Sequence, residues 1–176
     1  MQLTLIRHLP TEWNIKTWLQ GRRDIEISDI TAEVDKKIAD NQLLLQSRSP
    51  FNHVLASSLK RTHQTAQLYG YKCETEELLD ELDFGIFEGV PKAKMIEEFG
   101  DKWTESPKDI VLGESIQNLE ERIVVFIEKY RHAPNVLAFG HGSWMRAIVS
   151  YKQYGHINNM NKITIGNNEC ITIQSI

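Results

Sequence analysis

Two imidazoles, two guanidiniums and one carboxylate have the types and the placement for chemistry on a phosphate. Arg7-His8 follows the apolar run Leu3-Thr4-Leu5-Ile6; Ser57-Ser58, with Arg61 just beyond, follows His53-Val54-Leu55-Ala56; His141-Gly142-Ser143 follows the run from Asn135 to Gly140. Guanidiniums bind tetrahedral oxyanions through paired hydrogen bonds and stay charged at any physiological pH. His141 precedes a predicted helix whose first amides also favour an anion. A neutral imidazole attacks phosphorus to form a phosphohistidine, splitting one hard displacement into two easier ones. His8 is the better nucleophile of the two because it comes directly off a rigid strand beside Arg7. His141 would then donate to the transferring oxygens, Arg7 and Arg61 would clamp them, and Glu81 would protonate the leaving oxygen. Glu81 stands among Glu74, Glu76, Glu77, Asp80 and Asp83, and its distance of four residues to Gly85 selects it. A half-buried carboxyl in such a loop has a raised pKa and delivers a proton near neutral pH. The scheme calls for no metal and no cofactor, and His53, His63, His132 and His156 fit no metal-ligand spacing.

These groups meet only if the runs before them are neighbouring strands. Each run is short and continuously apolar, the pattern of a strand buried on both faces. Parallel strands joined by helices bring their C-terminal ends to one rim, where open α/β sheets bind ligands. The helices between them are legible. One runs from Thr31 with Ala32, Val34, Ile38, Leu43, Leu44 and Leu45 as its face, and Ser47 to Pro50 close it. A second, Leu59 to Tyr69, is capped by Ser57-Ser58 and stopped by Gly70. The spacing of Ile116, Leu119, Ile123, Phe126, Ile127 and Tyr130 predicts a third over Glu114 to His132, and a fourth spans Trp144 to Tyr151. Tyr71 to Cys73 reads as a weak strand and Cys170 to Gln174 as an edge strand. Val90 to Gly113 has poor periodicity apart from a short helix at Lys94 to Phe99, and forms a small lid excursion at 90–113.

Composition narrows the function classes. A chain of 176 residues suits a single domain over 1–176. Twenty Lys and Arg against 24 Asp and Glu argue against nucleic acid as the main partner. No secretory signal or transmembrane run is apparent, so a cytoplasmic protein with no membrane partner is expected, with Cys73 and Cys170 as reduced, buried thiols. Trp13, Trp18 and Trp144 are expected to pack, with Trp18 also placed to line the pocket.

Leu5-Ile6-Arg7-His8-Leu9-Pro10-Thr11-Glu12-Trp13-Asn14 resembles the Arg-His-Gly motif of the histidine phosphatase superfamily, the phosphoglycerate mutase-like proteins. Gln20-Gly21-Arg22-Arg23-Asp24 is similar to that family's Gly-x-x-Asp loop, Ala56 to Ala66 to its second-arginine segment, and Glu81 to Gly89 to its acid loop. Gly113-Glu114-Ser115 and Phe139-Gly140-His141-Gly142 complete six motifs in order, a highly specific combination. The resemblance implies a three-layer α/β/α sandwich around a mostly parallel sheet with helices on both faces. It implies His8 as the phosphorylated nucleophile, Arg7, Arg61 and His141 as the phosphate pocket, and Glu81 as proton donor. Asn14, Gly21 and Gly142 are implied as further substrate contacts. The family's glycine after the nucleophile is Leu9 here, which is expected to narrow the entrance.

Mutases of this family carry longer insertions that keep water out. Here 24 residues separate Gly89 from Glu114, and Asp83-Phe84-Gly85 looks more like the phosphatases. The expected activity is therefore hydrolysis of a small-molecule phosphate ester, releasing inorganic phosphate, on a phosphorylated metabolite or a phosphoprotein. A phosphoglycerate-type mutase and a weakly active phosphate-binding module are the alternatives. Arg22 and Arg23 suggest a second acidic group on the substrate, with a solvated basic pair equally compatible. Oligomeric state is left open, a homodimer being one option.

Overall fold

Leu3, Leu5, Ile6, Val136, Leu137, Ala138 and Phe139 are fully buried, as strands covered on both sides must be. The computed structural model describes residues 1–174. Its strands are β1 (Gln2–Arg7), β2 (His53–Ala56), β3 (Glu74–Thr75), β4 (Asn135–Gly140) and β5 (Cys170–Ile173). They form one sheet in the order β3-β2-β4-β1-β5, parallel except for β5, which runs antiparallel to β1 at the edge.

The helices are α1 (Glu12–Ile15), α2 (Ala32–Arg48), α3 (Lys60–Leu68), α4 (Lys92–Phe99), α5 (Asp101–Glu105), α6 (Ile116–Tyr130) and α7 (Gly142–Tyr154). Strand alternation divides the core between the two faces. Leu3, Leu5, Leu55, Val136 and Ala138 pack with α6 and α7, while Ile6, Ala56, Leu137 and Phe139 pack with α2 and α3. The layers are thus helix, sheet, helix. Ile116, Leu119, Ile123 and Phe126 of α6 are fully buried, each worth about 2 kcal/mol of apolar transfer. The 90–113 segment folds into α4 and α5 and drives Met95 and Trp103 into the larger core.

Several local expectations shift. Leu43 is 67% exposed, since it lies about 200° around α2 from Leu45. Thr31 caps α2 through Val34 N as its position suggests. Ser57 and Ser58 do not cap α3: Leu59 is the N-cap residue, and Asp24 Oδ1 accepts from Lys60 N at 2.8 Å. Ser58 instead donates its amide and hydroxyl to Asp80. The weak strand moves from Tyr71–Cys73 to Glu74–Thr75, two exposed residues whose pairing with Leu55 and Ala56 leaves no apolar signature. Cys73 and Cys170 are half-buried and free, and burial pushes the Cys73 thiol up to about 12. Among the described residues no helix is long and apolar enough to cross a membrane.

The register positions the site. Arg7 pairs with Gly140 and Ala56 with Phe139, so the residues that follow β1, β2 and β4 emerge side by side on one rim.

Candidate active site

His8 leaves β1 with its amide donating to Gly140 O at 3.0 Å and its ring 2% exposed. Its Nδ1 lies 2.7 Å from Leu9 O. A carbonyl only accepts, so Nδ1 carries the hydrogen and Nε2 of the neutral ring carries the lone pair. Burial, then the guanidiniums of Arg61 and Arg7, hold the imidazole well below its usual range, so it is neutral at pH 7. Arg7 donates from Nη1 to Ile165 O at 2.6 Å, and its Nε is buried with no hydrogen-bond partner.

Arg61, in the first turn of α3, is fully buried. It donates from Nη1 to Arg23 O and from Nη2 to Gly21 O, each at 2.8 Å, and from Nε to His141 Nδ1 at 3.2 Å. Those bonds use three of its five N–H groups, leaving two for a ligand. Burial lowers its pKa to about 10. Because Nε only donates, His141 Nδ1 is the acceptor, and its Nε2–H donates to Ser57 Oγ at 2.6 Å. The His8 and His141 ring centroids are 5.3 Å apart.

Arg7, His8, Asn14, Gly21, Arg61, Glu81 and Gly142 line one cavity of about 390 Å³. The eighth expected residue, His141, is fully buried behind them, where its two ring nitrogens serve Arg61 and Ser57. Glu81 is the one carboxylate among the lining residues, which separates it from its acidic neighbours. It accepts from Ser143 N at 3.1 Å, Trp144 N at 3.2 Å and Leu82 N at 2.9 Å, and so sits on the N-terminus of α7. Two glycines are required here. Gly21 has φ +52°, and a Cβ there would overlap the Glu88 carboxylate. A Cβ on Gly142 would stand 3.1 Å from Arg7 Cζ. Asn14 Oδ1 is held by Thr11 and by Asn167 Nδ2, which also donates to His8 O.

The family model for the histidine phosphatase superfamily, branch 1, matches residues 3–176. The chain belongs to that superfamily. It is 25% identical over 161 residues to phosphoglycerate mutase-like protein 4 of Arabidopsis thaliana, covering 84% of this chain and 69% of that protein. It is 27% identical over 160 residues to phosphoserine phosphatase 1 of Hydrogenobacter thermophilus, covering 84% and 74%. A solved structure, the product of an open reading frame of Mycobacterium tuberculosis, matches with a TM-score of 0.82 at 24% identity over 97% of this chain and 89% of that one.

This histidine phosphatase superfamily member departs from the sequence reading in one further place, and of the two readings of Arg22 and Arg23 the solvated pair is the one seen. Leu9 does not narrow the entrance. It is fully buried in the core beneath α2 and α3, its amide donates to Thr65 Oγ1 at 3.0 Å, and its φ is not positive, so no glycine is needed there. Arg22 and Arg23 stay outside the cavity and pair with Glu114 and Glu88 at 3.5 and 3.3 Å. The cavity does contain two cations that sequence reasoning missed, Lys92 and Arg146. Arg146 had one available signal, a lone cation in the apolar run Trp144, Met145, Ala147, Ile148. Trp18 lines the cavity as expected, edge-on to Trp13, while Trp144 packs on Phe126. Among the described residues no three His, Cys, Asp or Glu side chains gather where they could hold a metal ion.

Proposed function

We propose that this protein hydrolyses a small phosphomonoester through a phosphohistidine on His8. The observation that carries the proposal is the Nδ1 of His8 bound to Leu9 O, which leaves Nε2 as a free lone pair beside Arg7 and Arg61. In the first step Nε2 attacks phosphorus, the ester P–O bond breaks, and Glu81 gives its proton to the departing oxygen. Arg7 and the two uncommitted N–H groups of Arg61 meet the phosphoryl oxygens as their charge spreads. In the second step water attacks the phosphohistidine, Glu81 takes the proton of that water, and His8 leaves as the neutral ring. His141 holds Arg61 through the Nε contact, and Asn14, Gly21 and Gly142 shape the pocket. Inorganic phosphate is the second product.

The 90–113 segment supports hydrolysis over a mutase, because its helices bury Met95 and Trp103 in the core and little chain is left to close over an intermediate. Relatives carry both phosphatase and mutase-like names. The deciding experiment supplies p-nitrophenyl phosphate without any bisphosphate primer and follows phosphate. Steady release that disappears in His8→Ala supports the hydrolase. Label that moves between esters, needs a bisphosphate and yields no free phosphate supports the mutase instead.

A further inference from the structure

Asn167 lines the cavity without a part in the reaction as drawn above, yet its side chain is committed to two residues that have one. The turn that carries it explains the placement. Glu169 N donates to Gly166 O at 3.3 Å, so Asn167 and Asn168 are the central pair of a four-residue turn just before β5. Of that pair only Asn168 has positive φ, +59°, as the second central residue of a type II turn must, and asparagine tolerates that conformation.

The two asparagines divide the work. Asn168 is turned to α2 and the end of α3: its Oδ1 accepts from Tyr69 OH, its Nδ2 donates to Val34 O at 3.3 Å, and its carbonyl accepts from Asn41 Nδ2 at 2.9 Å. Its amide donates to Arg7 O and Arg7 N donates to Glu169 O, each at 3.1 Å, so the turn is fastened to the end of β1. Asn167 lies on the cavity side. Its Nδ2 donates to His8 O at 2.9 Å and to Asn14 Oδ1 at 3.3 Å, which uses both hydrogens of the amide. A carbonyl only accepts, so the nitrogen end is the one that faces His8. Asn14 is fixed by the same logic. Its Oδ1 accepts from Thr11 N and Thr11 Oγ1, each at 3.1 Å, as well as from Asn167. A backbone N–H only donates, so that end of Asn14 is the oxygen, and Nδ2 is the end left for the cavity that Asn14 lines.

We propose that Asn167 is a positioning residue of the phosphate pocket: its NH2 group ties the Asn14 amide to the main chain of the nucleophile, and so aims Asn14 Nδ2 at a phosphoryl group held beside His8. The proposal rests on the phosphohistidine reading above for where that group sits. Asn167 itself gives no N–H to the ligand, since both are spent on protein oxygens. Without it Asn14 keeps its Thr11 bonds but loses the tether to His8, and α1, only four residues long, is left to hold the amide alone. A donor fixed in advance costs no reorganisation when the anion arrives.

The test is a double-mutant cycle on the binding of inorganic phosphate, measured by calorimetry. Asn14→Ala should weaken phosphate about tenfold and Asn167→Ala about fivefold. The double variant should stay within about twofold of Asn14→Ala alone, because Asn167 acts through an amide that is already gone. Full additivity, or an Asn167→Ala protein that binds phosphate as the wild type does, would overturn the proposal. Nitrogen NMR of the wild-type protein keeps the test alive if a variant fails to fold. On saturation with phosphate the side-chain amide protons of Asn14 should shift downfield, and those of Asn167 should stay in place. An Asn167 amide that shifts as a ligand contact does, or an Asn14 amide that does not move, would equally overturn it. Phosphate release from an ester is scored separately: a protein that binds phosphate in this pattern and hydrolyses nothing would defeat the hydrolase reading and leave the role of Asn167 standing.

Discussion

The Nδ1–H of His8 donates to the carbonyl of its own neighbour, Leu9, at 2.7 Å. The contact joins two adjacent residues, so the nucleophile is oriented by its own stretch of chain without help from distant loops. Burial and two guanidiniums keep that ring, and likewise His141, neutral.

The protonation state has a measurable consequence. Both rings have folded pKa values well below 6.5, so under acid the unfolded chain takes up protons there first and folding stability falls. The contribution is complete above about pH 6.5 and is lost downward at about 1.4 kcal/mol per pH unit for each ring, until the folded value is reached. Urea denaturation at pH 7, 6 and 5 should show that slope, and His8→Asn should reduce it by about one ring's share. Nitrogen NMR of the native protein should find His8 protonated on Nδ1 alone from pH 8 to pH 6. A ring that titrates near 6.5 would contradict the neutral nucleophile.

Leu9 gives a second prediction. It is fully buried between β1 and the α2–α3 layer, so Leu9→Ala should cost about 2 to 5 kcal/mol of stability. Its side chain is absent from the cavity wall, so KM for any ester that the protein hydrolyses should change less than about twofold. Widened specificity at unchanged stability would return Leu9 to the entrance.

Glu81 should reveal its role through the leaving group. Glu81→Gln keeps the shape and removes the transferable proton, so kcat should fall by about 10²- to 10³-fold for alkyl phosphates. With p-nitrophenyl phosphate, whose leaving group departs as a stable anion, the first step should be nearly spared. Equal losses on both substrates in single-turnover measurements would reassign the proton donor.

The parts of the fold legible in the sequence are those that water exclusion dictates. β1, β2 and β4 announce themselves as unbroken apolar runs, and α6 by its regular stripe of buried residues from Ile116 to Tyr130. β3 was not legible in place, because two exposed residues pairing through their backbone carry no hydrophobic pattern. Within the candidate site, Arg7, His8 and Arg61 stand out because they follow apolar runs at strand ends, and Glu81 because it lies four residues before Gly85 in the acid loop. Lys92 and Arg146 do not, because a cation on a helix reads as solvated until the packing of α4 and α7 turns both toward the same cavity. The position of His141 behind Arg61, on Ser57, likewise depends on side-chain orientation that residue order does not specify.

The most direct measurement is rapid quench with 32P-labelled p-nitrophenyl phosphate. The account predicts an acid-labile, alkali-stable phosphoenzyme that forms before phosphate is released, maps to His8 and is missing from His8→Ala. A His8→Ala protein that still labels and still turns over would contradict it.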